Sequence, residues 1–401
     1  MSLNRRELLR IAPWALAGLA ARAPGPPVAG RGRARELGVR IGRLRPGPWN
    51  AITDVPGVRV GHATLVAGAG SLVVGRGPIR TGVTAVWPHA GILEEYLPCG
   101  FDMPNANGEV TGLVQAARLG ILGSPICLTN TSSVGMVYDA LLPRLPADDL
   151  PQVEPVVAET WDAFLNDIEG RHVHRRHVDA ALDGAAGGAV AEGCVGGGTG
   201  MICYGFKGGI GTASRRLPAP LEPYAVGVLV QANHGARELL RIDGVPVGEE
   251  IADLLPEPDE AAALNSIIMV VATDAPLVDY QLDRLARRAV HGLAKTGSIS
   301  GNSSGDFTLA FSTANRIPRR RFWTGGGYRL SGLDQFDLAP LFEAAAEATE
   351  EAIVNALFMA TDMAGRDGHR VWALPLPRTL EILARHRRLF APAAAAEHAH
   401  A

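Results

Sequence analysis

Two long apolar runs dominate the hydrophobic pattern of the chain. They read AVGVLVQ at Ala225–Gln231 and SIIMVVAT at Ser266–Thr273. Strands that are apolar on both sides are typical of a sheet covered on both faces. Shorter strands are predicted at Gly82–Trp87 and Ile126–Thr129, and the stretch ITDVPGVRVGHATL predicts a strand on each side of a Pro-Gly turn.

Helical periodicity is found elsewhere. Apolar residues return at three- and four-residue steps in four segments, which predicts amphipathic helices. The segments are Val110–Leu119, Trp161–Glu169, Leu277–Ala294 and Leu341–Phe358. Because strands and helices do not alternate regularly, the pattern favours an α+β layered fold over a doubly wound parallel sheet. The His- and Arg-rich stretch Arg171–Asp179 predicts a solvated loop.

Composition narrows the class of protein. The 401 residues are 47% hydrophobic and 20% charged, enough for a large core. With 38 basic and 41 acidic residues, the chain lacks the basic field that drives nucleic-acid binding, so nucleic acid is not an expected partner. The four cysteines show neither a disulfide framework nor the spacing of zinc ligands. We therefore expect no structural zinc site, and the serine mechanism suggested below needs no metal and no cofactor.

The N-terminus has a pattern of its own. Arg5 and Arg6 precede a short apolar run from Ile11 to Ala20, and small residues follow. This order is that of a secretory signal and resembles the twin-arginine type, while the run is too short for an integral membrane span. Residues 1–35 are predicted to be a signal peptide of an exported, periplasmic protein. The alternative is an amphipathic N-terminal helix, which would leave the protein cytoplasmic.

The sequence GNSSGD at Gly301–Asp306 is the main candidate for chemistry. A strand pattern, TLAFSTAN, follows it, so it is not the strand-to-helix elbow of α/β-hydrolases. If the peptide bond before Ser304 is broken, the new α-amine, with a pKa of about 8, can accept the proton of the Ser304 hydroxyl. The alternative from these residues alone is a polar turn that enters a strand.

A second Gly-rich stretch does not carry a phosphate site. Gly196–Gly200 and the nearby Lys207 lack the Ser or Thr that follows the lysine of a phosphate-binding loop. We expect close backbone packing there instead. The histidines of the chain sit in unrelated contexts, so no Ser-His-Asp triad is predicted.

Seven stretches of the chain together resemble one known family. In chain order they are TNTSSVG, VVAETWDAFLND, VGGGTGM, GFKGGIGTASR, VQANHG, GNSSGD with the LAFSTAN that follows it, and ATEEAIVNAL. They resemble the DmpA/BapA family of self-cleaving L-aminopeptidase/D-amidase/D-esterases and β-peptidyl aminopeptidases. The similarity runs from about Asn50 to about Arg378.

The resemblance implies a fold and a maturation step. The implied fold is a four-layer αββα sandwich of the N-terminal-nucleophile type. One hydrolase domain, residues 36–401, would be cut between Ser303 and Ser304 into a large chain (36–303) and a small chain (304–401), commonly as a homotetramer. Ser304 would be the nucleophile. Family members often have glycine at the position of Ser303.

The resemblance also assigns roles to other residues. Asn233 would donate to the oxyanion, Tyr204 would line the nucleophile, and Glu192 would hold the free ammonium of the substrate. Thr349 and Glu351 would interact with Ser304. Side chains two residues apart on a helix point about 200° apart, so Glu350 remains a competitor of Glu351.

The resulting hypothesis is a serine aminopeptidase that acts through an acyl-enzyme. Its substrates would be short peptides, amides or esters, with the choice among L-, D- and β-amino acids left open. One alternative is a self-processing acyltransferase of the ornithine acetyltransferase type, although that group uses threonine as the new terminus. The other is an exported peptide-binding protein without catalysis.

Overall fold

The computed structural model describes residues 30–257 and 266–390. The strands in these ranges are β1 (Arg59–Ala67), β2 (Ile79–Trp87), β3 (Glu95–Ala106), β4 (Ile121–Leu122), β5 (Ile126–Asn130), β6 (Val156–Thr160), β7 (Ile202–Cys203), β8 (Phe206–Lys207), β9 (Gly209–Arg216), β10 (Ala225–Asn233), β11 (Ser266–Thr273), β12 (Gly305–Ser312), β13 (Ile317–Pro318), β14 (Met363–Ala364) and β15 (Arg370–Val371). The α-helices are α1 (Leu113–Leu119), α2 (Val134–Leu141), α3 (Arg175–Asp183), α4 (Val247–Glu250), α5 (Asp279–Lys295), α6 (Arg319–Thr324), α7 (Ala339–Met359) and α8 (Leu376–Arg385).

Two sheets form the centre of the described chain. The smaller sheet has the strand order β1-β2-β5-β6. The larger sheet has the order β13-β3-β12-β11-β10-β9, and β4 pairs with β3 beside it. β11 and β12 run parallel, and so do β5 and β6. The strand that begins after Ser304 is therefore central in the larger sheet.

Apolar side chains of the two sheets meet face to face, with Leu128 of the smaller sheet and Leu229 of the larger one in the same core. Helices α5 and α7 cover the outer face of the larger sheet around Met269. Helices α2 and α3 cover the outer face of the smaller sheet around Val83. The order of layers is αββα, which confirms the predicted fold.

The sequence of strand β11 is apolar throughout because both faces of the strand are buried. Ile268 and Val270 point into the core between the sheets, whereas Ile267 and Met269 point to the helices. Successive side chains of a strand alternate between faces, and both faces are buried here. The predicted strands in β2, β5, β10 and β11 and the predicted helices in α5 and α7 are confirmed.

Three local predictions were wrong. Ile52–Asp54, before the Pro-Gly turn, forms one turn of 3-10 helix rather than a strand. Residues 161–169 form no helix, because their polar side chains bond neighbouring segments: Asn166 Oδ1 accepts the N–H of Arg80 in β2 at 2.8 Å, and Asp167 Oδ2 accepts the N–H of Gly75 at 2.8 Å. The expected loop Arg171–Asp179 runs into α3, which buries Val178 against the smaller sheet.

The segment before residue 36 belongs partly to the fold. The guanidinium of Arg31 donates to the carbonyl of Leu374 at 2.7 Å, and Arg35 Nε lies 2.9 Å from Glu351 Oε2. Arg31 and Arg35, which the sequence analysis places in the signal peptide, therefore contact the folded chain, and the boundary at residue 35 stays a prediction. The paired arginines and the apolar run lie outside the described residues. No helix among those described is both long enough and apolar enough to cross a bilayer.

Candidate active site

Two of the candidate residues, Asn233 and Ser304, lie at one edge of the larger sheet. Asn233 at the end of β10 pairs with Ser266, Ser266 pairs with Gly305, and Gly305 pairs with Ala106 at the end of β3. Neighbouring strands lie about 4.8 Å apart, which puts Asn233 about 10 Å from Gly305. Ser304 directly precedes Gly305. The structure thus brings Asn233 and Ser304 to the same edge.

Ser304 is buried, with 2% of its surface exposed. Its Oγ donates to Asp306 Oδ1 at 2.5 Å. Residues i and i+2 of an extended chain share a face, so the sequence Ser-Gly-Asp is enough to bring these two side chains together. Burial raises the pKa of the Asp306 carboxyl. The hydrogen bond from the Ser304 hydroxyl lowers this pKa, but the effect of burial is larger.

Two asparagines at the end of β3 hold the turn before Ser304. The Nδ2 of Asn105 donates to the carbonyls of Gly301 and Asn302, at 3.2 Å each. The Nδ2 of Asn107 donates to the carbonyl of Ser303 at 2.8 Å. Sequence reasoning missed both residues. The signal was the stretch PNANG just after an alternating pattern that had not been recognised as β3.

The amide of Asn233 has a fixed orientation. Its Oδ1 accepts the N–H of Ile202 at 2.8 Å, and its Nδ2 donates to the carbonyl of Trp161 at 3.1 Å. An amide nitrogen has two hydrogens, so one donor remains for another acceptor. This geometry is compatible with the oxyanion role predicted for Asn233.

Tyr204 lies in the core behind the same edge. Its hydroxyl shares a hydrogen bond of 2.8 Å with Thr296 Oγ1. Burial raises the pKa of the Tyr204 phenol, and the negative charge of Asp306 adds to this effect. The ring meets His234 edge to face, with centroids 5.0 Å apart. Burial lowers the pKa of His234 to about 3, so both rings are neutral at pH 7.

Gly235 allows this ring pair to form. Its φ is +88°, and a Cβ added there would lie 2.2 Å from Cε1 of Tyr204. We expect Gly235→Ala to lower the free energy of unfolding by about 2–4 kcal/mol, because backbone strain adds to overpacking. Chemical denaturation would measure the loss.

Gly244→Ala is the matched control for Gly235→Ala. Gly244 has a similar φ of +79°, but a Cβ there would meet nothing within 4 Å. It should lose only the backbone component, about 1 kcal/mol. Equal losses in the two variants would show that the contact with Tyr204 is unimportant.

A further carboxylate, Glu159, lies next to the start of β12. A Cβ on Gly108 would lie 2.9 Å from Glu159 Oε1 and 3.6 Å from the Cα of Gly305. Glu159 is 4% exposed, and burial raises the pKa of its carboxyl. Oε1 accepts the N–H of Glu109 at 3.1 Å, and Oε2 accepts the hydroxyl of Thr131. Sequence reasoning missed this residue, although it ends the apolar run VVAE.

Glu192, predicted to hold the substrate ammonium, has other partners. Its Oε2 lies 2.6 Å from Arg33 Nε, and its Oε1 accepts the N–H of Thr212 at 2.8 Å. Thr212 lies in line with Leu309 of β12, three strands away and four residues beyond Gly305, or on the order of 20 Å from it. The structure therefore does not bring Glu192 to Ser304.

Thr349 and Glu351 are not placed beside Ser304 either. Thr349 Oγ1 donates to the carbonyl of Ala345 in its own helix, at 2.8 Å. Glu351 Oε2 lies 2.7 Å from Arg215 Nη2. The competitor, Glu350, bonds Lys295 Nζ at 2.9 Å. Helix α7 is buried on nearly all sides, so its side chains find partners in several directions.

Lys207 also has a structural environment. Its Nζ is buried and donates to the carbonyls of Met201 at 2.8 Å and Gly208 at 3.0 Å. The preceding Gly196–Gly198 forms a buried 3-10 turn, as the expected close packing requires. Across residues 30–257 and 266–390, no three His, Cys, Asp or Glu side chains are grouped to hold a metal ion.

Comparison with known proteins identifies the family. The profile of peptidase family S58 matches residues 50–371. The chain belongs to this family. The β-peptidyl aminopeptidase BapA of Sphingosinicella microcystinivorans is 47% identical over 396 residues, which cover 95% of this chain and 97% of the relative.

Solved structures agree with this assignment. A β-aminopeptidase from Burkholderia sp. is 47% identical with a TM-score of 0.82, covering 88% of this chain and 98% of its own. The second structure is the L-aminopeptidase D-Ala-esterase/amidase of Ochrobactrum anthropi, which is described as a prototype of the serine aminopeptidases with a variant of the Ntn hydrolase fold. It is 42% identical with a TM-score of 0.83, and the match covers 89% of this chain and 99% of the Ochrobactrum chain. This S58 peptidase is a hydrolase of the serine aminopeptidase type, and neither alternative function is supported.

Proposed function

We propose that this S58 peptidase cuts its own chain between Ser303 and Ser304 and then releases N-terminal β-amino acids from short peptides and amides. The observation that carries the proposal is the position of Ser304. It is buried at the start of a central strand, on the sheet edge that also holds Asn233. Glu159 lies within reach of the same strand start.

In the proposed cycle, Ser304 supplies its own base. The free α-amine takes the proton of the hydroxyl, and Oγ attacks the substrate carbonyl. Asn233 donates its remaining N–H to the oxyanion, an interaction that is typically worth about 3 kcal/mol. The leaving amine takes the proton, and water then hydrolyses the acyl-enzyme.

The β-amino acid preference is supported by the names of the relatives. Two relatives, 47% and 45% identical, are β-peptidyl aminopeptidases, while the Ochrobactrum enzyme is an L-aminopeptidase and D-Ala-esterase/amidase. Release rates from p-nitroanilides of β-alanine, L-alanine and D-alanine would test this. A kcat/KM for β-alanine at least tenfold above both others is expected, and a preference for either α-amino acid would contradict it.

Glu159 is the proposed anchor of the substrate ammonium. We expect Glu159→Gln to raise KM about tenfold for substrates with a free amine, because a charge-assisted hydrogen bond is lost. Hydrolysis of an N-acetylated ester should change little, since it has no ammonium. Steady-state kinetics on the two substrates would measure the difference, and equal losses on both would argue against an ammonium anchor.

The pH dependence of binding follows from the raised pKa of Glu159. The anchor is ionised above that pKa and is lost as pH falls through it. As pH falls, the parent enzyme should therefore begin to lose affinity for free-amine substrates at a higher pH than it would if the pKa of Glu159 were that of an ordinary glutamate. Glu159→Gln should not show this loss.

Export and assembly belong to the proposal as well. The twin-arginine-like pattern before Arg31 supports transport to the periplasm, and the family resemblance supports a homotetramer. Cell fractionation with and without the first 29 residues would test export. Light scattering after gel filtration would test the assembly, and a monomeric mass would contradict it.

A further inference from the structure

Self-cleavage has a chemical requirement that the α-amine of the mature enzyme cannot meet. Before the cut, the nitrogen of Ser304 is a peptide amide, and its N–H donates to the carbonyl of Gly301 at 2.8 Å. An amide nitrogen has no basic lone pair. The uncut chain therefore needs a different proton acceptor for the Ser304 hydroxyl.

Two side chains touch the reacting atoms of the uncut chain. Asp306 Oδ1 lies 2.5 Å from Ser304 Oγ, the attacking atom. Asn107 Nδ2 lies 2.8 Å from the carbonyl oxygen of Ser303, which is the carbonyl to be attacked. Both distances are within hydrogen-bond range.

The pairing of β3 with β12 sets this arrangement. Gly305 lies opposite Ala106, and Asp306 lies opposite Asn105. The chain then leaves β3 and passes beside the turn, so that the N–H of Asn107 also donates to the carbonyl of Ser304 at 3.2 Å. The attacked carbonyl and the attacking hydroxyl are thus held by residues from two neighbouring strands.

We propose that Asp306 and Asn107 are the catalytic residues of self-cleavage, with Asp306 as proton acceptor and Asn107 as oxyanion donor. The proposal rests on the proposed function, because it assumes the cut before Ser304. It assigns to the precursor a base and a donor that differ from those of the mature enzyme. Asn233 and the α-amine serve only after the cut.

The first step moves an acyl group from nitrogen to oxygen. The Ser304 hydroxyl gives its proton to Asp306 Oδ1, and Oγ forms a bond to the carbonyl carbon of Ser303. Asn107 Nδ2 donates to the oxygen that becomes negative. The C–N bond then breaks, and the nitrogen of Ser304 takes the proton back from Asp306, leaving an ester and a free amine.

The second step consumes water. A water molecule adds to the ester carbonyl, and the bond to Oγ breaks. The products are the carboxylate of Ser303 and the mature Ser304 with its hydroxyl and α-amine. Ser303 is partly exposed whereas Ser304 is buried, so solvent can approach the ester from the side of Ser303.

Pulse-chase labelling during cell-free synthesis would measure self-cleavage, because the uncut chain and its fragments separate on a denaturing gel. The full-length parent would be compared with Asn107→Ala and Asp306→Asn. Asn302→Ala is the matched control, since Asn302 lies in the same turn with an exposed side chain. Asn107→Asp keeps the shape of the side chain, removes the N–H donor and places a negative charge beside the carbonyl of Ser303.

We expect Asn107→Ala, Asn107→Asp and Asp306→Asn each to slow cutting about 100-fold, as losses of one oxyanion donor or one general base do. Asn302→Ala should cut within about twofold of the parent, since no reacting atom is touched. Thermal midpoints near that of uncut Ser304→Ala would show that the slow variants are folded. Hydroxylamine, which cleaves esters, should not restore their rate, because they form the ester slowly.

Two results would overturn the inference while leaving the proposed function intact. One is cutting of Asn107→Ala and Asp306→Asn at the parent rate. The other is full rescue of both by hydroxylamine, which would place the defect in hydrolysis of the ester. If the parent itself remains a single chain, the proposed function fails instead.

Discussion

Replacement of Ser304 by alanine should leave a single uncut polypeptide without aminopeptidase activity. The variant lacks the oxygen that attacks the carbonyl of Ser303, so neither the new terminus nor its α-amine forms. Loss of a nucleophile typically costs more than about 10⁴-fold in turnover. A denaturing gel and release of p-nitroaniline from a β-alanine substrate would measure both effects.

Ser303→Gly is the matched control for Ser304→Ala. It changes the neighbouring residue in the same turn but keeps the attacking hydroxyl, and it should still cut. N-terminal sequencing of its small chain should read Ser-Gly-Asp-Phe, the sequence that starts at Ser304. Two chains from Ser304→Ala, or a small chain that starts at another residue, would refute the assignment of the nucleophile.

The position of Ser304 was predictable because local pattern and tertiary structure agree there. A run of small polar residues ends where a strand begins, and the strand is central because its neighbour β11 is apolar on both faces. Asn233 was named from the family resemblance of VQANHG, and the structure extends the predicted strand by two residues so that Asn233 ends β10. In both cases the end of a strand fixes the location of the side chain.

Glu159 was missed because its relevance depends on the other sheet. It lies near the end of β6 in the smaller sheet, whereas Gly305 belongs to the larger one. Only the packing of the two sheets brings them together, around Gly108. The hydrophobic periodicity of a single sequence does not predict contacts between residues of two different sheets.

Glu192, Thr349 and Glu351 bond partners other than Ser304 for a related reason, and their predicted roles stay predictions. Glu192 pairs with Arg33, from a segment that had been assigned to the signal peptide. Helix α7 is buried on nearly all sides, so its hydrophobic periodicity does not predict which neighbouring element a given side chain faces. The direction is set by partners far away in the chain, such as Arg215 for Glu351.

Glu351 is the centre of a buried ionic cluster that joins three segments. It lies 2.7 Å from Arg215 of β9 and 2.9 Å from Arg35 of the N-terminal segment, and Asn50 Nδ2 donates to its Oε1 at 2.6 Å. Burial opposes its ionisation, but the guanidinium groups of Arg215 and Arg35 outweigh it and lower the pKa of Glu351. The side chains of Glu351 and Arg215 are both 0% exposed.

Glu351→Ala should therefore reduce the free energy of unfolding by about 3–5 kcal/mol, the cost of leaving buried charges without a partner. The comparison is made in the uncut Ser304→Ala background, so that one chain unfolds, and urea denaturation measures the loss. Glu343→Ala is the matched control on the same helix. Its pair with Arg43 is largely exposed, so no measurable change is expected.

The stability difference should also depend on pH in a defined direction. Because the folded-state pKa of Glu351 is lowered, its contribution is fully present above the unfolded-state pKa and is lost as pH falls through the folded one. The gap between parent and Glu351→Ala should therefore narrow on acidification. If Glu351→Ala instead keeps the stability of its parent at pH 7 but abolishes turnover in the cut enzyme, Glu351 acts on Ser304 and the structural role is wrong.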